Sequence, residues 1–167
     1  MPQILDEIEE CVPAFRRYAR ALTHNPDLAD DLVQDCLERA IRKRALWRPS
    51  GSVRSWMFRI LLNVYRNDLR RRRRAPDLPL DTLQTDPPSL DTQSGRLALA
   101  ETAQAMQALP VEQREVLLLV AVEEMSYAEA AEVLAIPLGT LMSRLGRARA
   151  TLRRMTETGA PRLRSVK

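Results

Sequence analysis

Apolar residues recur along the first 22 positions at three- and four-residue steps: Ile4, Leu5, Ile8, Val12, Phe15, Ala19 and Leu22. This spacing predicts an amphipathic helix, with Pro13 as the one point where it could kink or break. A new start signal follows at Asn25-Pro26-Asp27. Asn25 can cap, Pro26 suits the first turn, and Asp27, Asp30 and Asp31 suit the positive end of the helix dipole. Leu28, Leu32, Val33, Cys36, Leu37 and Ala40 carry the apolar stripe on to about Leu46, where Pro49-Ser50-Gly51 breaks it. A third helix is predicted from about Val53 to Arg73 through Trp56, Ile60, Leu61 and Val64. Three helices in about 74 residues make one unit.

Residues 75–95 contain four Pro, four Asp and no basic side chain. No helix or strand period runs through them, so they read as a linker, extended where rich in proline. Apolar periodicity resumes near Leu97. It predicts helices over Leu97–Ala108, Glu112–Val122, Tyr127–Leu134 and Leu138–Met155, followed by a basic tail, 159–167, that reads as frayed. The fold class expected is all-α: two small helical domains joined by a Pro/Asp-rich linker.

The last two of these helices carry a more specific pattern. Ser126-Tyr127-Ala128-Glu129 is a capping box. Ala130, Ala131 and Leu134 form a packing face, with a small residue where two helices must cross closely. Ala135-Ile136-Pro137 makes the turn. In the next helix Leu141 and Leu145 face inward, while Ser143, Arg144, Arg147 and Arg149 face elsewhere. A small-residue helix, a tight turn and a basic helix are the helix-turn-helix plan.

Charge sharpens this picture. The net charge of +4 is unremarkable, but its distribution is informative. Residues 1–74 carry +6, 75–95 carry −4, 96–136 carry −5 and 137–167 carry +7. The switch from acidic to basic falls at the turn between the last two helices. Ser and Arg near the start of the final helix can read base edges, and Arg further along can neutralise phosphates. Arg70–Arg74 is a run of five arginines closing the third helix. The helix dipole accounts for two or three of them; five suggest phosphate tracking. Each phosphate contact steepens the fall of log affinity with log salt by about 0.9 on duplex DNA. Upstream, Trp47, Trp56 and Phe58 alternate with Arg48 and Arg59. Rings beside guanidiniums can stack unpaired bases. Core filling is the simpler role for Trp56 and Phe58, whereas Trp47 sits beside a Pro-Gly loop.

Two stretches together resemble a known family. Asp30-Asp31-Leu32-Val33-Gln34-Asp35-Cys36-Leu37-Glu38-Arg39-Ala40, then Ser55 through Asn63, then Asp68-Leu69-Arg70-Arg71, resemble region 2 of sigma factors of the extracytoplasmic-function (ECF) branch of the sigma-70 family. Leu109 through Val116, then Ser126 through Ala131, then Gly139 through Arg149, resemble region 4. The order is that of the family, and the resemblance spans about residues 8–154. It implies four segments: 1–74 as sigma region 2, 75–95 as an acidic flexible linker, 96–158 as sigma region 4, and the tail 159–167.

The resemblance also implies roles. Region 2 would bind core RNA polymerase through Asp31, Gln34, Asp35 and Glu38. By matching positions, Trp47, Ile60 and Asn63 would form a pocket for one flipped base of the single-stranded −10 element. Arg59, Arg70, Arg71, Arg72, Arg73 and Arg74 would hold the DNA backbone. Thr140, Met142, Ser143, Arg144, Arg147 and Arg149 would meet the double-stranded −35 element. An anti-sigma factor is an expected partner. The chain departs from the family pattern at Ala135, where Gly is common, at Met142, where Lys or Arg is common, and at Gly146, where a larger side chain is common. Promoter preference therefore does not carry over.

Other classes fit less well. An autonomous helix-turn-helix regulator would explain residues 126–154 but leave the aromatic–arginine segment and the acidic second helix unused. An enzyme would have to work with a single histidine, His24, placed in a turn between helices. Neither an enzyme, a cofactor nor a metal is expected. Cys11 and Cys36 lack metal-ligand spacing and read as core thiols. The acidic N-terminus lacks an apolar signal region, and runs such as Val116–Val122 are too short to insert in a membrane. A cytoplasmic location is expected.

Overall fold

A computed structural model of the chain describes residues 2–47, 51–75 and 93–159, which form helices and connecting turns with no strand among them. The helices are α1 (Pro2–Thr23), α2 (Pro26–Lys43), α3 (Val53–Arg74), α4 (Gln93–Ala108), α5 (Val111–Ala121), α6 (Tyr127–Leu134) and α7 (Leu138–Gly159), with a 3-10 turn at Arg44–Leu46 after α2. The all-α expectation holds. Most of the acidic linker and the tail beyond Gly159 lie outside the described residues.

The first three helices pack around an aromatic centre. Phe15 and Tyr18 of α1 both meet the Phe58 ring edge-to-face, at 4.8 and 5.2 Å between centroids. Such contacts add to the value of the apolar area they bury. Leu22, Leu32, Val33, Cys36, Met57, Leu61 and Leu62 close the space around them. Asn25 caps α2 as expected, its Oδ1 accepting from the amides of Asp27 and Leu28 at 2.9 and 3.0 Å. Ser52 caps α3 through the Ser55 amide. Pro13 neither ends nor divides α1, which runs unbroken from Pro2 to Thr23. Proline deprives the carbonyl four residues back, that of Glu9, of its donor. Both Pro13 and Glu9 are exposed, so water can serve that carbonyl.

The second module is α4–α7. Leu117, Leu118 and Leu119 of α5 are all buried, because α5 lies between α6 and α7 on one side and α1 on the other. Ala130 and Ala131 of α6 let α7 approach closely, and Leu141, Leu145 and Ala148 of α7 complete the core. The capping box at Ser126 forms in both directions: the Glu129 amide donates to Ser126 Oγ at 3.2 Å, and the Ser126 amide donates to Glu129 Oε2 at 3.0 Å. The Ser126 hydroxyl, donating to Glu129 Oε2 at 2.8 Å, and the Ser126 amide together hold the Glu129 carboxyl below the usual carboxylate range. α4 begins at Gln93, one turn before the expected Leu97. Its first residues are polar, so hydrophobic spacing carries no signal there.

The turn between α6 and α7 is where backbone geometry is tightest. Ala135 has φ 53° and ψ 46°, in the left-handed region. The Ile136 amide reaches back to the Ala131 carbonyl at 3.0 Å, which is the hydrogen bond of a Schellman cap. That cap wants glycine at position 135, and a Cβ there is strained.

Two substitutions test this account of the turn. Ala135→Gly should raise stability by about 0.5–1 kcal/mol, because relief of left-handed strain outweighs the added freedom of the unfolded chain. Ser126→Ala should lower it by about 1 kcal/mol through loss of the cap. Urea midpoints at unchanged slope would measure both.

Candidate nucleic-acid interface

The helix-turn-helix places α7 with one face inward and one outward. Leu141, Leu145 and Ala148 are buried, whereas Met142, Ser143, Gly146, Arg147 and Arg149 are exposed. Thr140 and Arg144 are half-buried and lie on the flank of this face. At 100° per residue, Ser143 and Arg147 sit opposite the core and Met142 lies beside them. Arg149 reaches back to the Tyr127 hydroxyl at 3.5 Å, a long contact that leaves it available to an anion. Of the six residues expected here, Ser143 and Arg147 face away from the core, Met142 and Arg149 are exposed on one flank, and Thr140 and Arg144 are half-buried on the other.

The first module presents two further surfaces. On α3, Ile60 and Asn63 stand three residues apart on one face; Ile60 is half-buried and Asn63 exposed. Trp47 follows the 3-10 turn and is partly buried against the core, as are Trp56 and Ile60. Trp56, expected in the core, is therefore only partly covered; Phe58 is wholly buried. Residues 48–50, next to Trp47, lie outside the described set. Arg59 is exposed and pairs with Glu132 of α6 at 3.6 Å. Arg70 to Arg74 are all exposed at the end of α3. Arg70 leans on Asn67, and Arg71 pairs with Asp68. On α2, Asp31, Gln34, Asp35 and Glu38 are all exposed and form a polar stripe, with Glu38 3.8 Å from Arg42.

Sequence reasoning missed the contact between the modules. Glu115 and Glu123, from α5 and the turn after it, are buried with side chains 1% and 0% exposed. Arg66 of α3 grips Glu115 with two hydrogen bonds, of 3.0 and 2.7 Å. Arg17 of α1 grips Glu123 the same way, at 3.1 and 2.8 Å. Arg54 of α3 adds bonds to the Glu123 carboxylate and carbonyl, at 2.9 and 2.7 Å, while its guanidinium lies 5.5 Å from the Phe58 ring centroid. The Tyr18 hydroxyl donates to the Glu115 carbonyl, and burial pushes that phenol well above its ordinary pKa. Donating to the Glu115 and Glu123 carboxylates raises the pKa values of Arg66 and Arg17, respectively. One signal was available: Glu115 opens the run Glu115-Val116-Leu117-Leu118-Leu119, and a carboxylate in an apolar run asks for a partner.

Arg114 is a second such device. Its guanidinium donates to the carbonyls of Met106, Gln107 and Leu109 at the end of α4, and to that of Leu22 in α1. His24 stands nearby with φ 53°. Burial, and then the Arg114 charge, lower its pKa to about 4. Of the two thiols, Cys36 is buried and pushed up to about 12, which makes it inert. Cys11 is only half-buried, not a full core residue. Among the described residues no cluster of His, Cys, Asp and Glu could hold a metal ion, and no helix is long and apolar enough to cross a membrane.

Residues 8–62 match the family model described as the Sigma2 domain of PhyR, and residues 99–152 match Sigma-70, region 4. The chain is 38% identical over 151 residues to the ECF RNA polymerase sigma factor EcfG of Rhodopseudomonas palustris, covering 88% of this chain and 81% of that protein. It is 37% identical over 145 residues to the ECF RNA polymerase sigma factor SigM of Mycobacterium tuberculosis, covering 84% and 70%. Among solved structures, the sigma factor RpoE in complex with the anti-sigma factor NepR, from Bartonella quintana, superposes with a TM-score of 0.80 at 29% identity, covering 94% of this chain and 98% of that one.

The buried ion pairs and His24 each generate a test. Glu123→Gln should lower stability by about 2 kcal/mol. That is less than the usual loss for a broken buried pair, because both arginines keep access to water. Small-angle scattering should show a larger radius for this variant as the modules part. For His24, the unfolded imidazole protonates near 6.5 and the folded one near 4, so between these values the unfolded chain holds more protons. Stability is intact above pH 6.5, falls as pH drops from 6.5 to 4, and loses nothing further to this group below 4. His24→Asn keeps a residue that tolerates positive φ. The drop in melting temperature from pH 7 to 4.5 should be smaller in this variant than in the wild type.

Proposed function

The chain belongs to the ECF branch of the sigma-70 family, and from that premise we propose that it is a promoter-recognition subunit whose two modules grip neighbouring stretches of one promoter while bound to core RNA polymerase. The observation that carries this reading is the outward face of α7, where Ser143 and Arg147 stand opposite the core with Met142 beside them. A helix held this way by its partner helix enters the major groove and meets base edges with its first turns. In this reading Thr140, Met142, Ser143 and Arg144 face the −35 element, and Arg147 and Arg149 secure its phosphates.

The first module then opens the −10 element. Flipping a base out of the stack costs a few kcal/mol. Trp47 supplies a ring to stack on it, Ile60 an apolar wall and Asn63 an amide for its edge. Arg59 and Arg70 to Arg74 hold the backbone beside this pocket. The exposed stripe of Asp31, Gln34, Asp35 and Glu38 contacts core polymerase, where a charge-complementary basic surface would set orientation and speed encounter. Every role is one of binding, so the protein works without catalysis of its own, in the cytoplasm with polymerase and promoter. Residues 1–74 act as region 2 and 96–158 as region 4, with the acidic segment between them as the tether. Control by an anti-sigma factor is supported by the similarity to RpoE, which was solved with NepR bound.

In vitro transcription tests the whole reading. The chain added to bacterial core polymerase should yield transcripts from a cognate promoter, and neither component should do so alone. Failure to associate with core polymerase would refute it. Asn63→Ala should reduce promoter opening roughly tenfold or more, in keeping with the 1–3 kcal/mol of a good base contact, while binding to core polymerase stays unchanged. Permanganate reactivity of unpaired thymines reads the first effect and co-migration the second. Normal opening would remove Asn63 from the pocket.

A further inference from the structure

α7 is basic in composition, yet its leading turns offer an apolar surface. Leu138 is 48% exposed and Met142 53%. They stand four residues apart and so stack on one side of the helix. Neither is needed by the core, which Leu141, Leu145 and Ala148 fill. One turn further on comes Gly146, where an added Cβ would meet nothing within 4 Å. The stripe Leu138, Met142, Gly146 therefore has no donor or acceptor side chain, and exposed Ser143 and Arg147 border it.

The charge around this stripe selects its occupant. Arg144, Arg147 and Arg149 on the same helix favour a polyanion over an apolar protein surface. In the major groove, adenine, guanine and cytosine present polar groups that a thioether or isobutyl group would leave unsatisfied. Thymine presents a methyl group at C5. We propose that Leu138 and Met142 read thymine methyl groups, with Met142 fixing a T·A pair in the −35 element and Leu138 covering an adjacent step. This inference rests on the reading of α7 as the groove-entering helix. The open space at Gly146 lets the helix sit close enough for the methyl contact to form.

The test uses the full chain with core polymerase and a promoter library randomised across the −35 region. Bound sequences are read out for the wild type and for Met142→Ala. The wild type should enrich a sequence with an invariant thymine at one or two positions. Each thymine of that sequence is then replaced by deoxyuracil, which keeps pairing and removes only the methyl group. Replacement at the invariant position should weaken wild-type binding about fourfold, the worth of one methyl group taken out of water, and Met142→Ala binding less than twofold. Met142 is exposed, so this variant keeps its fold. If a sequence is enriched but no single deoxyuracil weakens binding twofold, or if the loss persists undiminished in Met142→Ala, the methyl reading is overturned and the groove reading survives. If Met142→Ala changes only self-association of the chain, the stripe is a protein contact and the proposal is likewise overturned. If no sequence is enriched, both readings fail together.

Discussion

Two buried carboxylates join the halves of this molecule. Glu115 and Glu123 come from the second module, and the guanidiniums that grip them, Arg66, Arg17 and Arg54, all come from the first. A buried carboxylate without partners is one of the most costly groups a protein can hold. Each module therefore satisfies a need that the other creates, and the way α5 lies on α1 follows from it. The geometry is two-pronged at both sites, which fixes angle as well as distance. Apolar packing alone would leave the modules free to slide.

This arrangement bears on the surfaces proposed to meet DNA and polymerase. The outward face of α7 and the acidic stripe of α2 remain exposed with the modules docked. Arg59 is exposed as well, but it pairs with Glu132 of α6. The end of α3, with Arg70 to Arg74, is exposed throughout. The docked molecule thus keeps the arginines at the end of α3 in solvent while Arg54, Arg59 and Arg66 of the same helix contact the neighbouring module.

Much of this was legible in the sequence, and the parts that were not share a cause. Helix periods, the Asn25 cap and the Ser126–Glu129 box depend on neighbours within four residues, and they stand where the spacing put them. The basic outward face of α7 could be read in the same way. Pro13 misled because the penalty of an interior proline depends on whether water reaches the orphaned carbonyl, which the residue alone does not say. The partial exposure of Cys11 and Trp56 depends on how the helices pack around them, which the period along one helix does not give. The Arg–Glu contacts between modules were invisible because their partners lie 49 to 106 residues apart, and local pattern carries no information over such separations. The same holds for Arg114, whose acceptors sit on two other helices. Met142 stands where the family pattern has Lys or Arg, and only the structure shows that it is exposed beside an equally exposed Leu138.

α3 runs for 22 residues without a break, about 33 Å at 1.5 Å per residue. Asn63 and the arginines at 70–74 ride on this one rod, roughly 10–16 Å apart along its axis. A rod of this kind is a ruler. The interval between the side chain proposed to read a base and the arginines proposed to clamp the backbone cannot stretch, and it equals about three to five base steps of 3.4 Å. One extra residue between them would swing the arginines by about 100° around the axis. Evolution can exchange the letters at either end of such a ruler far more easily than it can alter the length between them.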